Sequence, residues 1–267
     1  MDVRFGLCTG DLDVIRQVID WGYDYVEIGA RTVIPFEDER AFATVRSRLR
    51  ATGVPIEAMA GFIPSSVRIV GPSVDWDQVR SYLETTIGRA SEVGVSVINW
   101  GSAESRRVPA GWPMSRAWEQ LERAAAMIAD LAEAAGIVVV VEPVNPRETN
   151  ILYYVSDALH LAQTVNRPSL RVIADYYHVM KQNEPVEQIA QAAGWLAHAH
   201  TSDDQRGFPC LGAWDQRPFL QALVGAGYDG RISFEVARRD TSSYAADARA
   251  SVQRMRDLLR SVITQSS

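Results

Sequence analysis

One pattern of apolar and polar positions recurs along the chain. A helix-length amphipathic stretch ends near a glycine, and a short β-branched run follows. It reads WGYDYVEIG (21–29), ATGVPIEAM (51–59), EVGVSVINW (92–100), EAAGIVVVVE (133–142) and GAGYDGRISFE (225–235). Glycine suits the left-handed position just past a helix C-terminus. Valine and isoleucine suit a buried strand. Strands are expected near 4–8, 25–28, 56–59, 97–100, 137–142, 171–175, 197–200 and 231–235. Helices are expected over 11–21, 37–51, 75–92, 115–135, 156–165, 185–194, 215–226 and 244–263, several with three- and four-residue apolar spacing. Ser156 is the expected cap of the helix over 156–165. Eight alternating units predict an α/β fold, a (β/α)8 barrel spanning 1–267 as one domain. The rival is a doubly wound open sheet or two α/β domains.

In such a barrel the C-terminal strand ends surround one cavity. Here they carry polar and ionisable residues. Glu27 ends the second strand, Glu142 and Asn145 the fifth, Asp175 and His178 the sixth, His198, His200 and Asp203 the seventh, and Glu235 the eighth. A carboxylate at the end of VVVV is costly unless it is paired or binds metal. Glu142, Asp175, His200 and Glu235 come from four consecutive strands and can converge on a divalent cation of the manganese, magnesium, cobalt or zinc class. Each also has a plainer reading. Glu142 could pair with an arginine, and Asp175 could cap the following segment. His198 and His200 share a strand face, with His198 one layer deeper. Glu27 is either a site contact or a salt-bridged structural acid. Trp100 and Trp112 could form an apolar wall of the pocket or an oligomer contact. The loop 102–113 is the expected lid, its Arg106 and Arg107 meeting an anionic substrate or solvent.

The totals narrow the classes. With 267 residues, 47% of them hydrophobic, the chain can bury a large core. A formal net charge of -6 argues against a partner held through nucleic-acid phosphates. No run of 18 apolar residues suggests a membrane span, and the N-terminus lacks the features of a secretion signal. Two distant cysteines, Cys8 and Cys210, fit a reducing cytoplasm.

The stretches EPVNPRETN, DYYHV, HAHTSDDQRGFP and ISFEV, in this order, resemble the xylose-isomerase-like sugar isomerase and epimerase family, the group of the ketose 3-epimerases and hydroxypyruvate isomerase. The resemblance covers most of the chain and is strongest from Gly136 to Glu235. It implies one divalent metal, manganese foremost, held by Glu142, Asp175, His200 and Glu235. It implies that Glu148, His178 and Arg206 contact a sugar or keto-sugar. Glu27, from its inward place at a strand end, and Trp112, from its place in the loop 102–113, are expected as further substrate contacts. Glu142 and Glu235 would double as acid/base groups in an isomerisation or epimerisation through an enediolate. Alternatives are a dehydratase or C-glycoside-cleaving eliminase, hydroxypyruvate isomerase, or a non-catalytic sugar-binding barrel. A homo-oligomer is open. A DNA-repair endonuclease of related fold would need many histidines; the chain has four, with His160 placed on a helix. Leu7-Cys8-Thr9 departs from the aromatic or histidine residues that family epimerases place at the first strand end.

Overall fold

The chain is seen in a computed structural model that describes residues 2–237 and 242–266. Among these, eight parallel strands follow one another around a closed barrel: β1 (Arg4–Cys8), β2 (Tyr25–Gly29), β3 (Ile56–Ala60), β4 (Val97–Trp100), β5 (Val138–Val141), β6 (Leu170–Asp175), β7 (Leu196–Thr201) and β8 (Arg231–Phe234). Pairing of β8 back onto β1 closes the ring and excludes an open sheet. Every strand lies within one residue of its expected bounds.

The helices are α1 (Leu12–Ile15), α2 (Glu39–Arg50), α3 (Trp76–Glu92), α4 (Met114–Ala134), α5 (Val155–Val165), α6 (Tyr176–Lys181), α7 (Arg217–Gly225) and α8 (Tyr244–Ser266). Three expected features take a different form, and α6 forms where no helix was expected. The helix expected over 11–21 stops at Ile15; beyond it Gln17 and Val18 bond to carbonyls only three residues back. This stretch is rich in β-branched residues, which crowd the preceding turn of a helix. The stretch 185–194 forms a tighter helix of three residues per turn over Val186–Ala192. Tyr154, not Ser156, caps α5, because the Asp157 carboxylate reaches back to the N–H groups of Tyr153 and Tyr154. The glycines before β4 and β5 do what the pattern asked. Gly94 (φ 100°) and Gly136 (φ 68°) reverse the chain between helix and strand in a conformation that side chains resist.

Side chains two apart on a strand share a face. Val139, Val141, Val172, Ala174, Ile232 and Phe234 belong to the large core that includes buried residues of the helices. Tyr25, Ala58, Val97, Val140 and Ile173 form a second, smaller cluster inside the barrel. Continuing those inner rows toward the C-terminal ends gives Glu27, Glu142 and Asp175. Apolar filling below thus puts the acids at the mouth. No helix among the described residues is long and apolar enough to cross a membrane.

Candidate active site

Glu142, Asp175, His200 and Glu235 each offer a ligand atom, and the four atoms lie within 4.8 Å of one another. His200 Nδ1 is 3.6 Å from Glu142 Oε1 and 3.7 Å from Glu235 Oε2. Those gaps are long for hydrogen bonds. Glu142 Oε1 and His200 Nδ1 are buried and have no hydrogen-bond partner. A buried polar atom left so costs about 1–3 kcal/mol. A divalent cation among the four groups would satisfy both atoms. Three carboxylates and one imidazole suit the manganese, magnesium, cobalt or zinc class, so the residues fit the metal.

The plainer readings of the ligands resolve atom by atom. Asp175 does cap α6, with Oδ1 accepting from the N–H of Tyr177 at 2.8 Å, while Oδ2 faces the cluster. No arginine among the described residues pairs with the Glu142 carboxylate. Arg106, fully buried, instead donates to the backbone oxygen of Glu142 at 2.7 Å and to that of Trp100 at 3.3 Å. It clamps the ends of β4 and β5 together. Burial lowers its pKa to about 10, with the Glu142 charge pulling the other way. Gly101 lies against the same carboxylate; a β-carbon there would overlap Glu142 Oε2.

Glu27 lies behind the cluster rather than in it. Its Oε1 is 2.9 Å from His200 Nε2 and its Oε2 is 2.8 Å from His198 Nε2, and all three side chains are fully buried. This pairing fixes the ring of His200 so that Nδ1 faces the carboxylates. Burial opposes charge on His200, but Glu27 outweighs it with help from Glu142 and Glu235, raising its pKa well above the usual imidazole value. His198 goes the other way: burial lowers it despite Glu27. The same two histidines and burial act on Glu27. Burial would raise its pKa, yet the imidazoles hold it far below the carboxylate range.

α6 was not foreseen as a helix, and it sets His178 over Asp175, with Nε2 3.5 Å from Oδ2. Asn145 reaches His178 Nδ1 with its side-chain nitrogen at 2.8 Å and donates to Glu148 Oε1 at 2.9 Å. Glu148 is further held through its backbone oxygen by Arg107 at 2.6 Å. Arg206 donates to Asp175 Oδ2 at 3.1 Å, bonds Glu235, and lies 3.9 Å above the ring of Tyr177. Burial works against its charge, but Asp175 and Glu235 raise its pKa strongly. In return Arg206, with His200, outweighs burial and lowers Glu235 to about 2. The loop that carries Arg206 is pinned by Asp203, which accepts from the N–H groups of Asp204, Gly212, Ala213 and Trp214. Sequence reasoning gave Asn145 no role, offered Asp203 only as a partner for Arg206, and passed over Tyr177; Asp203 instead binds backbone N–H groups of its own loop.

A cavity of about 490 Å³ opens beside Glu235 and Glu27, lined further by Cys8, Thr9, Arg31 and Thr32. Cys8 lies near Glu27 and His200, but burial first and the Glu27 charge second push its thiol pKa well up, which disfavours the thiolate. Trp100 is fully buried, not a pocket wall. Trp112 turns its indole nitrogen to Gln120 of α4 at 3.2 Å. The expected lid arginines split, Arg106 being internal and Arg107 paired with Glu104. His160 packs against Trp118 on the helix layer.

The similarities to known proteins agree with this architecture. The ketose 3-epimerase of Arthrobacter globiformis is 36% identical over 109 residues, a match that spans 40% of this chain and 38% of that protein. The D-psicose 3-epimerase of Agrobacterium fabrum (strain C58) is 22% identical over 83% of this chain and 77% of its own length. In fold, the chain resembles the D-psicose 3-epimerase structure solved with D-tagatose from Clostridium cellulolyticum H10, with a TM-score of 0.82 and 18% identity over 96% of this chain and 99% of that one. The family described as the xylose isomerase-like TIM barrel matches residues 15–260, nearly the whole barrel. The chain belongs to that family.

Proposed function

We propose that this protein is a divalent-metal-dependent epimerase or isomerase of a ketose or related α-hydroxy carbonyl compound. The observation that carries the reading is the pair of buried, unpartnered atoms, Glu142 Oε1 and His200 Nδ1, in a four-group cluster from consecutive strand ends. Its relatives named as 3-epimerases of ketoses support the substrate class.

Glu142, Asp175, His200 and Glu235 would hold the cation, manganese first among the candidates. When bound, it supplies a Lewis acid that polarises a carbonyl and offsets the negative charge that grows when the neighbouring carbon loses its proton. Glu142 and Glu235 both approach His200 Nδ1, at 3.6 and 3.7 Å. One takes the proton from the hydroxyl-bearing carbon, and the sugar becomes an enediolate. The other returns a proton to the opposite face, inverting that carbon. Arg206 and His178 hold substrate oxygens, the guanidinium presenting a planar fork of donors. Asn145 fixes His178 by occupying its Nδ1, and Glu148, tied to Asn145, accepts from a substrate hydroxyl. Glu27 acts through His200. A reducing cytoplasm is the setting we propose for the reaction.

The test is a panel of ketoses incubated in deuterated water with manganese-loaded protein and followed by NMR. Deuterium at the carbon beside the carbonyl, with the inverted sugar as product, is expected. No exchange into any ketose with manganese, magnesium or cobalt would end the proposal. Release of water or an aglycone would identify elimination instead.

A further inference from the structure

A second cavity of about 260 Å³ adjoins the first and shares Arg31, Gly61 and Pro64 with it. Its lining changes character. Near Glu235 the walls carry Thr9 and Thr32; farther out they become mainly apolar, with Ile34, Pro35, Phe36 and Tyr82 beside Glu37. Phe36 is 65% exposed, although a large apolar ring on a surface loop gains nothing from water. Its ring centroid is 5.3 Å from that of Tyr82, at a tilt of 37°. Tyr82 is itself fixed, its hydroxyl donating to the backbone oxygen of Phe62 at 2.6 Å.

The loop is also built to hold its shape. Buried Arg89, on α3, donates to the backbone oxygens of Val33, Ile34 and Glu37, three carbonyls on either side of Phe36. Ile34 adopts φ 41°, a left-handed conformation that a β-branched side chain rarely takes. Such strain persists only where the surroundings impose it, and it gathers at ligand clamps. One buried guanidinium thus presents an aromatic platform at the mouth of the active-site cavity.

We propose that the substrate is a keto-sugar carrying a flat apolar or aromatic substituent at the end remote from its carbonyl, and that Phe36 and Tyr82 bind that substituent. This rests on the keto-sugar reading above. The cavity beside Glu235 is already within the size range of small-molecule sites, about 300–1,000 Å³, so the sugar itself does not need the outer groove. Continuity between the two cavities makes the occupant of the groove part of the same molecule.

The experiment compares a ketohexose with its derivative bearing a benzyl ether on the terminal carbon, using manganese-loaded protein. The derivative is expected to have about a tenfold higher kcat/KM, the scale of one aromatic contact. In Phe36→Ala that ratio falls to near one, and Phe36→Tyr restores it. Equal kcat/KM for the two sugars in the unmodified protein overturns the inference. So does a Phe36→Ala variant that loses both substrates equally and changes its mass in light scattering, which makes the face a contact between copies. If no ketose exchanges deuterium at all, the reaction proposal fails separately. Saturation-transfer NMR with the benzyl sugar then still decides the groove. Ring protons should receive the strongest transfer and lose it in Phe36→Ala; uniform transfer, or no binding, refutes the groove.

Discussion

Glu27→Gln keeps the side-chain shape, removes the charge and turns one acceptor into a donor. Both Glu27 oxygens are engaged, at 2.9 Å by His200 and 2.8 Å by His198. The substitution therefore sets an N–H against an N–H on one side or the other. If the amide nitrogen faces His200, the bond that aims Nδ1 at the carboxylates is gone. If it faces His198, His200 keeps a neutral acceptor, about half as strong as the charged one. Hydrogen bonds to charged groups contribute about 1.5–3 kcal/mol, and outer partners of metal-binding histidines are worth about 10–100-fold in metal affinity. The expected Kd for Mn²⁺ thus rises about 10–100-fold, or about 1.4–2.8 kcal/mol. Calorimetric titration of the metal-free protein at pH 7 measures it, with circular dichroism confirming the fold. Glu57→Gln is the control. Glu57 is held by Arg4 and Arg231, the first residues of β1 and β8, at the opposite end of the barrel. It should lower stability without touching the Kd. A Glu27→Gln protein that is folded and binds Mn²⁺ within about twofold of the original would refute the positioning role, since the structural argument places the loss at no less than about tenfold.

Glu142→Gln and Glu235→Gln should each cut the rate of deuterium exchange by at least about 10²–10⁴, the usual worth of a positioned acid or base; full activity in either rules out the two-carboxylate mechanism. Gly101→Ala drives a β-carbon into Glu142 Oε2, so melting should report a loss of about 1–3 kcal/mol and titration a weaker Mn²⁺ site. Unchanged metal affinity would show that Glu142 is not a ligand. The pH dependence follows from Glu27, whose folded pKa lies far below its ordinary value of 4.5. A depressed carboxyl stabilises the fold fully above pH 4.5 and loses that contribution as pH falls through the folded value. Melting temperatures of the metal-free protein should therefore fall more steeply below pH 4.5 in the original than in Glu27→Gln; parallel curves would contradict the ion pairing.

The four clustered side chains were legible because two rules locate them without any knowledge of contacts. Strand alternation says which residues look inward, and barrel topology says that all inward strand ends meet. The loops had no such rule. Arg106 and Arg107 are adjacent, of one type, in one irregular segment. Yet the first is fully buried under two carbonyls and the second pairs with Glu104 at the surface. Nothing in the local pattern distinguishes them, because the sorting is done by the ends of β4 and β5, which Arg106 bridges. Trp112 is similar: it follows Gly111, but its neighbour Gln120 lies nearly two turns along α4 and also grips Gly71.

Glu27 shows where alternation itself falls short. The period places it inward correctly, and its polar type invites a substrate contact. What decides its partner is the room across the barrel. On the adjoining strands its paired neighbours are Cys8 and Ala58, both small. Below them Gly6 has no side chain at all, and the ring of Tyr25 fills the space it leaves, bonding Ser233 at 2.7 Å. The side chain of Glu27 can therefore cross from β2 to the imidazoles of β7, while still bordering the cavity beside Glu235. A larger residue at position 8 or 58 would compete for that path. The identity of an inward acid's partner is thus written in the volumes of residues on other strands, at matching heights. The sequence contains those residues, but their heights appear only once the register of the closed barrel is known.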